Sequence, residues 1–447
     1  MNTATKQNLD QKIREYGNPV DMLRNSPVGA YQFPFASEFS NWRDEQEAWQ
    51  KTAVIFDQSF HMTDYYFEGP DTYRLLSDLG VNSLTNFGPN KAKQFVTCNY
   101  DGYVIGDAIL FGLAENKVST VGRPSVSHWL AFHAETGGYD VKVTRDERSV
   151  SNAQQRLTYR FQIQGPNSIK IVEAANGGPL PKIPFFNLGD LNIAGKKVRA
   201  LNHSMSRMSG LELHGPAQDG PAVEAALLQA GEEFGLKQGG SRSYSTVSIE
   251  SGWIPSPMPA IYAGDAMKPY REWLSADDFE ATASLGGSFY SDDITDYYQT
   301  PWDLGYGMHV KFDHDFIGRE ALEKMASAPH RKKVWLTWNN DDVLRIIGSM
   351  FSTGDRFKYL EIPSSYYSIL PFDRVMIGDR MVGLSTYQVY TVNANSWFSL
   401  AMIDEDLAVD GTEVSIIWGE EGGGSQRPVV ERHVQTEIRA VVRTTRY

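Results

Sequence analysis

The stretch KKVWLTWN, Lys332–Asn339, decides how the chain divides. It reads as a short apolar strand, and from it onward strands stay short, turns are rich in Gly, Asp and Asn, and helix signals are scarce. That pattern predicts a C-terminal β-barrel domain over 329–447, with the break beside Pro329. Upstream, strand patterns such as AILFGL (Ala108–Leu113), YRFQIQG (Tyr159–Gly165) and LELHG (Leu211–Gly215) alternate with helical stretches such as AVEAALLQAGEEFG (Ala222–Gly235). The region 1–328 is therefore expected to be α+β with antiparallel sheets, in two subdomains. Nearer the N-terminus, NWRDEQEAWQKTAVIFD (Asn41–Asp57) reads as an amphipathic helix running into a strand, with Trp42, Trp49 and Val54 facing a core. EEGGGSQ (Glu420–Gln426) lies between two strand patterns and reads as a long hairpin loop. No helix follows it, so it lacks the context of a phosphate-binding loop.

With 447 residues the chain can bury a large core in two or three packed units. A net charge of -13, with no compensating run of Lys or Arg, argues against nucleic acid and gives no hint of a protein partner. The first twenty residues are polar, and no segment has the ~18 uninterrupted apolar residues of a membrane helix, so the expectation is a cytoplasmic protein with no membrane association. Cys98 is the single cysteine and the nine histidines are scattered without an HExxH pair, so no disulfide, thiolate cluster or bound metal is expected.

GSRSYSTVSIESGWIP, Gly240–Pro255, sets Arg242, Tyr244, Glu250 and Trp253 close together in what reads as a loop entering a strand, with glycines on either side. Taken by itself, a Tyr in such a segment is a packed residue with a hydrogen-bonded tip, and a Trp belongs to a core. By the same reasoning Glu212 is the outward-facing residue of an alternating strand. Arg123, in STVGRPS, is a surface ion-pair residue, and His61, in FDQSFHM, a satisfied core histidine.

The order of several motifs adds a second reading. GPNSIKIV after the strand FQIQ, then GLELHGP, GSRSYSTVSIESG and LGYGMHVKFDHDFIGREAL (Leu304–Leu322) resemble the landmarks of the glycine-cleavage T-protein (aminomethyltransferase) superfamily. MLRNSPVGAY, EFSNWRDEQEAW, FDQSFHM, NKAKQF, YVIGDAILF and ESGWIPSPMPAIY are similar to the tetrahydrofolate-dependent aryl-methyl-ether O-demethylases within it, which act on vanillate, 3-O-methylgallate or syringate. The resemblance spans nearly the whole chain. It implies a folate-binding α+β fold followed by a β-barrel, and methyl transfer from a methoxylated aromatic acid to N5 of tetrahydrofolate without a metal. A non-aromatic one-carbon transferase and a folate-binding module without catalysis remain alternatives. Against glycine cleavage, the T-protein's paired aspartates are replaced by Gly106-Asp107, so the first carboxylate is missing.

The resemblance also implies roles for particular residues. Tyr244 matches an acid that protonates the ether oxygen, a fitting task for a phenol of pKa ~10 facing a phenol leaving group. Arg242 and Glu250 would brace its segment, and the flanking glycines would let backbone approach a cofactor. On the substrate side stand Gln58, His61, Tyr31, Phe33 and Arg123, the last a forked cation suited to a carboxylate. On the folate side stand Glu212, which would accept from the pterin's paired N–H groups, Gln164, and Trp253 as a flat wall. Phe33, in AYQFPF, replaces a tyrosine of vanillate-type enzymes. An apolar wall there accepts a second methoxy group, which favours a syringate-like ring.

Overall fold

The computed structural model describes residues 7–148, 155–424, 427 and 429–447. Ser425 and Gln426, the end of the expected Gly-rich loop, lie outside the described residues; the rest of that loop does connect two antiparallel barrel strands, Glu413–Trp418 and Thr436–Arg443. Among the described residues two large sheets and a barrel organise the molecule, beside a two-stranded parallel pair, Leu285–Gly286 with Leu370–Pro371. A six-stranded sheet runs in spatial order Leu236–Gln238, Ala53–Asp57, Thr158–Gln164, Gly210–Pro216, Lys196–Asn202, Leu188–Ile193, antiparallel except where Ala53–Asp57 meets Leu236–Gln238. A five-stranded antiparallel sheet runs Ala92–Cys98, Val104–Ala114, Lys117–Gly122, Thr63–Glu68, Lys142–Asp146. The expected barrel closes from six strands beginning with Arg331–Trp338. These elements bear out the α+β class with a C-terminal barrel.

Alternation along the six-stranded sheet separates its two faces. Ala53, Ile55, Phe161, Ile163, Leu211 and Leu213 pack beneath the helices Ser168–Asn176 and Gly220–Gly231. The other face carries Arg160, Gln162, Gln164, Glu212 and His214, which the register sets side by side, together with Val54 and Phe56. Val54 and Phe56 join Trp49, Tyr244 and Val247 in a small core cluster, so this half-polar face looks toward Tyr244. The expected helix–strand unit is present as helix Trp42–Lys51 and strand Ala53–Asp57, with Trp42, Trp49 and Val54 buried.

A buried ion network ties the two sheets together. Arg156 pairs with Asp146 at 2.9 Å and Asp64 at 2.6 Å, while Arg160 pairs with Asp64 at 2.7 Å and with Glu212. Ions removed from water need such partners, and removing one member of a buried set costs about 3–5 kcal/mol.

The segment around Tyr244 differs from its expected form. Ser241–Ser251 is an α-helix, not a loop entering a strand. Two of its hydroxyls are satisfied within the helix: Thr246 Oγ1 donates to the Ser243 carbonyl at 2.7 Å and Ser251 Oγ to the Ser248 carbonyl at 2.8 Å. The first turn's free N–H groups find the chain Ala36–Ser37, Ser241 N donating to Ala36 O and Arg242 N to Ser37 O. A side chain at Gly240 would put its Cβ 2.2 Å from that Ser37 carbonyl oxygen. At the other end Gly252, with φ +88°, closes the helix in the left-handed region against the Trp335 ring. Both glycines answer to protein atoms, where the sequence reading looked to a cofactor.

Candidate active site

Helix Ser241–Ser251 is wedged between two partners. Toward helix Trp42–Lys51 it turns Ser243, Thr246 and Glu250, at helical spacing. Ser243 Oγ donates to Glu45 at 2.8 Å, Gln46 Nε2 donates to Thr246 Oγ1 at 3.0 Å, and Trp49 Nε1 donates to Glu250 at 3.0 Å. Arg242 is tied to Glu38 at 2.6 Å. Glu250 and Arg242 are thus held by protein partners that fix the helix. On its other side Tyr244, Ser245, Val247 and Ser248 line a partly open cavity.

Tyr31, Phe33, His61, Arg123 and Trp253 line the same cavity, so six of the nine expected site residues, counting Tyr244, meet there. Gln58 stands just behind. Its Nε2 donates to the Tyr244 hydroxyl at 3.0 Å, and the same hydroxyl lies 2.9 Å from His61 Nε2. Tyr244 is 7% exposed. Burial raises its pKa above the ordinary phenol value, with the Gln58 hydrogen bond and the Arg123 charge working in the opposite direction. Burial, then the charges of Arg123, Arg156 and Arg160, holds the His61 pKa well below its usual value, so the imidazole is neutral and its Nε2 can accept the tyrosine proton's hydrogen bond.

Phe33 packs edge-on to Tyr31, His61 and Tyr244, with ring centroids 4.9, 5.3 and 5.2 Å away. Arg123 stacks its guanidinium 4.3 Å over the Tyr31 ring. Its buried Nη1 has no hydrogen-bond partner among the described residues. A half-buried cation whose buried Nη1 has no partner among the described residues, beside an apolar, aromatic-walled space, is suited to a planar anion. Arg123 also borders a second, smaller cavity with Gly106, Asp107, Ser125 and Ser256.

Glu212 and Gln164 lie outside this lining, on the polar face of the six-stranded sheet. One Glu212 oxygen is taken by Arg160, and the other is 4.0 Å from His203 Nδ1. Gln164 Oε1 accepts from the backbone N–H of Met205 at 3.0 Å, and Met205 in turn lines the cavity. Among the described residues Gln164 Nε2 and His203 Nδ1 are buried without hydrogen-bond partners. The face therefore presents an acceptor and unspent polar groups together, as a folded heteroaromatic edge with mixed donors and acceptors would need.

Residues 24–256 match the family described as the GCVT N-terminal domain. The chain belongs to the GCVT, or glycine-cleavage T-protein, family. This GCVT protein is 48% identical to syringate O-demethylase from Sphingobium sp., over 98% of this chain and 96% of the relative. It is 29% identical to sesamin methylene transferase from Sinomonas sp., over 80% of each chain. Among solved structures it is similar to glycine cleavage system aminomethyltransferase T from Bartonella henselae, with a TM-score of 0.60 and 15% identity over 99% of this chain and 97% of that one, a likeness of fold.

The sequence reading missed the barrel's share of the cavity. Tyr366, Ser368, Ile369 and Tyr387 complete its wall. Tyr387 sits at a register shift in the strand Arg380–Thr391, with φ +49°, and its hydroxyl lies 2.6 Å from the Ile369 carbonyl. A bulge that re-aims one side chain leaves no mark in local sequence. Among the described residues no group of His, Cys, Asp or Glu is arranged to hold a metal, and no helix is long and apolar enough to cross a membrane.

Proposed function

We propose that the chain is a tetrahydrofolate-dependent O-demethylase that moves the methyl group of a methoxylated aromatic acid, syringate ahead of vanillate and 3-O-methylgallate, onto N5 of tetrahydrofolate. The observation that carries this reading is a buried tyrosine hydroxyl, held by Gln58 and a neutral His61, on a cavity that also offers a free guanidinium donor. Its likeness to syringate O-demethylase supports the aromatic ether as methyl donor.

Tetrahydrofolate, when bound, supplies the amine that takes the methyl group. The residues of this chain supply alignment and one proton. Arg123 takes the ring carboxylate through Nη1, and Tyr31, stacked beneath it, keeps the guanidinium in place. Tyr244 donates its proton to the ether oxygen as the carbon–oxygen bond breaks, and Gln58 Nε2 stabilises the tyrosinate that forms. Burial that raises the tyrosine pKa acts in the same sense on a phenoxide leaving group in the same cavity, so the transfer between them stays near balance. The proton lost by the methylated amine balances the one given to the phenol. Glu212 and Gln164 hold the pterin edge, and Trp253 forms its wall, which the unspent polar groups on that face support. The cytoplasm fits the supply of reduced folate.

The test is anaerobic incubation of the purified protein with tetrahydrofolate and each of the three acids in separate tubes. The expected result is equal amounts of demethylated phenol and 5-methyltetrahydrofolate, fastest with syringate and absent without folate. Folate binding with no turnover of any methoxylated acid would overturn the proposal.

A further inference from the structure

Asp107 has no part in the chemistry above, yet it is one of the most heavily engaged carboxyl groups in the protein. It sits on the strand Val104–Ala114 and is 7% exposed. Its Oδ2 accepts from Trp253 Nε1 at 3.1 Å and from Gln94 Nε2. The Tyr306 hydroxyl is also hydrogen-bonded to it, and the Lys333 ammonium acts on it as a favourable charge. These partners come from separate parts of the chain: a neighbouring strand, the Leu304–Leu322 segment and the first barrel strand. Burial raises the carboxyl pKa, and the donors and Lys333 counter that rise. Burial likewise presses Lys333 down to about 8.

Trp253 needs such an anchor. It follows Gly252, where the helix ends in a left-handed turn; its backbone N–H donates to the Ser248 carbonyl at 2.9 Å, which fixes the main chain and leaves the orientation of the indole to side-chain contacts. Its indole lines the large cavity, while its N–H end reaches Asp107 at the edge of the small one. An indole has a single donor, and a buried carboxylate is the strongest neutral-to-charged acceptor it can find. Rotation of the ring away from the wall would cost the indole N–H its bond to Asp107, while Oδ2 would keep the bond from Gln94.

We propose that Asp107 is a positioning residue: by accepting from Trp253 Nε1 it fixes the plane of the indole as a wall of the large cavity, and through that wall it sets the affinity for tetrahydrofolate. The second half of the inference rests on the proposed function; the first half does not.

The test compares wild type, Asp107→Ala, Asp107→Asn, Trp253→Phe and the Asp107→Ala/Trp253→Phe double variant. Tetrahydrofolate affinity is measured by calorimetry without aromatic acid, alongside kcat and KM. Asp107→Ala is expected to weaken folate binding about tenfold with kcat changed by less than about threefold. Trp253→Phe should lose a similar factor, and the double variant no more than the weaker single, because phenylalanine has no N–H to be placed. Asp107→Asn keeps an acceptor and the fold, and should retain most of the affinity, which guards against misreading an unfolded Ala variant. A ligand-free readout accompanies these: the near-ultraviolet circular dichroism change caused by Asp107→Ala should vanish in the Trp253→Phe background. Multiplicative losses in the double variant, or a dichroism change that persists without Trp253, would overturn the proposal. If wild type binds no tetrahydrofolate, the functional reading fails, and the dichroism cycle alone decides whether Asp107 orients Trp253.

Discussion

The hydroxyl of Tyr244 lies 2.9 Å from Nε2 of His61, and the other ring nitrogen of that histidine, Nδ1, is buried without a hydrogen-bond partner among the described residues. A neutral imidazole in this position accepts from the tyrosine and keeps its proton in the cavity. Tyr244→Phe removes that proton and leaves the aromatic packing against Phe33 and Phe56 intact. The expected outcome is a loss of kcat on the order of 10²–10⁴, the usual contribution of a positioned acid. Affinity for tetrahydrofolate and the melting temperature should stay close to wild type. Activity within a few-fold of wild type in that variant would remove Tyr244 from the mechanism.

Arg123 carries a buried donor that no group uses among the described residues. A charge-assisted hydrogen bond to a carboxylate is worth about 1.5–3 kcal/mol, or roughly ten- to a hundredfold in binding. Arg123→Ala should raise KM for syringate by that factor. Arg123→Lys should recover little of it, since an ammonium lacks the fork that both grips a carboxylate and stacks on Tyr31. A dimethoxyphenol without the carboxylate provides the comparison: its KM should move far less. Equal losses for the acid and the neutral phenol would show that Arg123 serves the fold and not the anion.

Part of the candidate site was legible in the motif order: Tyr31, Phe33, His61, Arg123, Tyr244 and Trp253 line one cavity, while Gln58, Glu212 and Gln164 lie outside its lining. What local sequence hid was the helix that carries Tyr244. SYSTVSIES is rich in serine and β-branched residues, which are poor helix formers, and it has no apolar stripe because it is buried on nearly every side. Its helicity comes from outside, through the carbonyls of Ala36–Ser37 and the side chains of Glu45, Gln46 and Trp49. Helix Trp42–Lys51 was readable for the opposite reason: one face is buried and the other wet. The contribution of Tyr366 and Tyr387 was hidden by distance along the chain, since only the packing of the barrel against helix Ser241–Ser251 brings them to Tyr244.

Phe33 offers a direct handle on substrate choice. Its ring faces the cavity between Tyr31 and Tyr244 without a polar atom. An apolar wall tolerates a methoxy group and leaves a hydroxyl unpaired. Phe33→Tyr should therefore raise the ratio of kcat/KM for vanillate over syringate about tenfold, a shift of about 1.4 kcal/mol in transition-state binding. An unchanged ratio, with both substrates affected alike, would place the discriminating wall elsewhere in the cavity.

The last prediction concerns stability and pH. His128 is buried with Nδ1 3.0 Å from Glu280 and Nε2 3.8 Å from Glu147. Burial opposes its charge, but the charge of Glu280 and the hydrogen bonds to Glu147 and Glu280 outweigh that and raise its pKa to about 10. In the unfolded chain a histidine titrates near ~6.5. The folded pKa is the higher one, so the native state holds this proton more tightly. Its stabilising contribution is complete below about pH 6.5 and is lost progressively as pH rises through about 10. His128→Gln removes the titration. Urea midpoints measured between pH 6 and 10 should show the wild type losing its advantage over the variant as pH climbs, with the largest gap at the acidic end. Parallel curves would mean that Glu280 and Glu147 do not hold a charged imidazole between them.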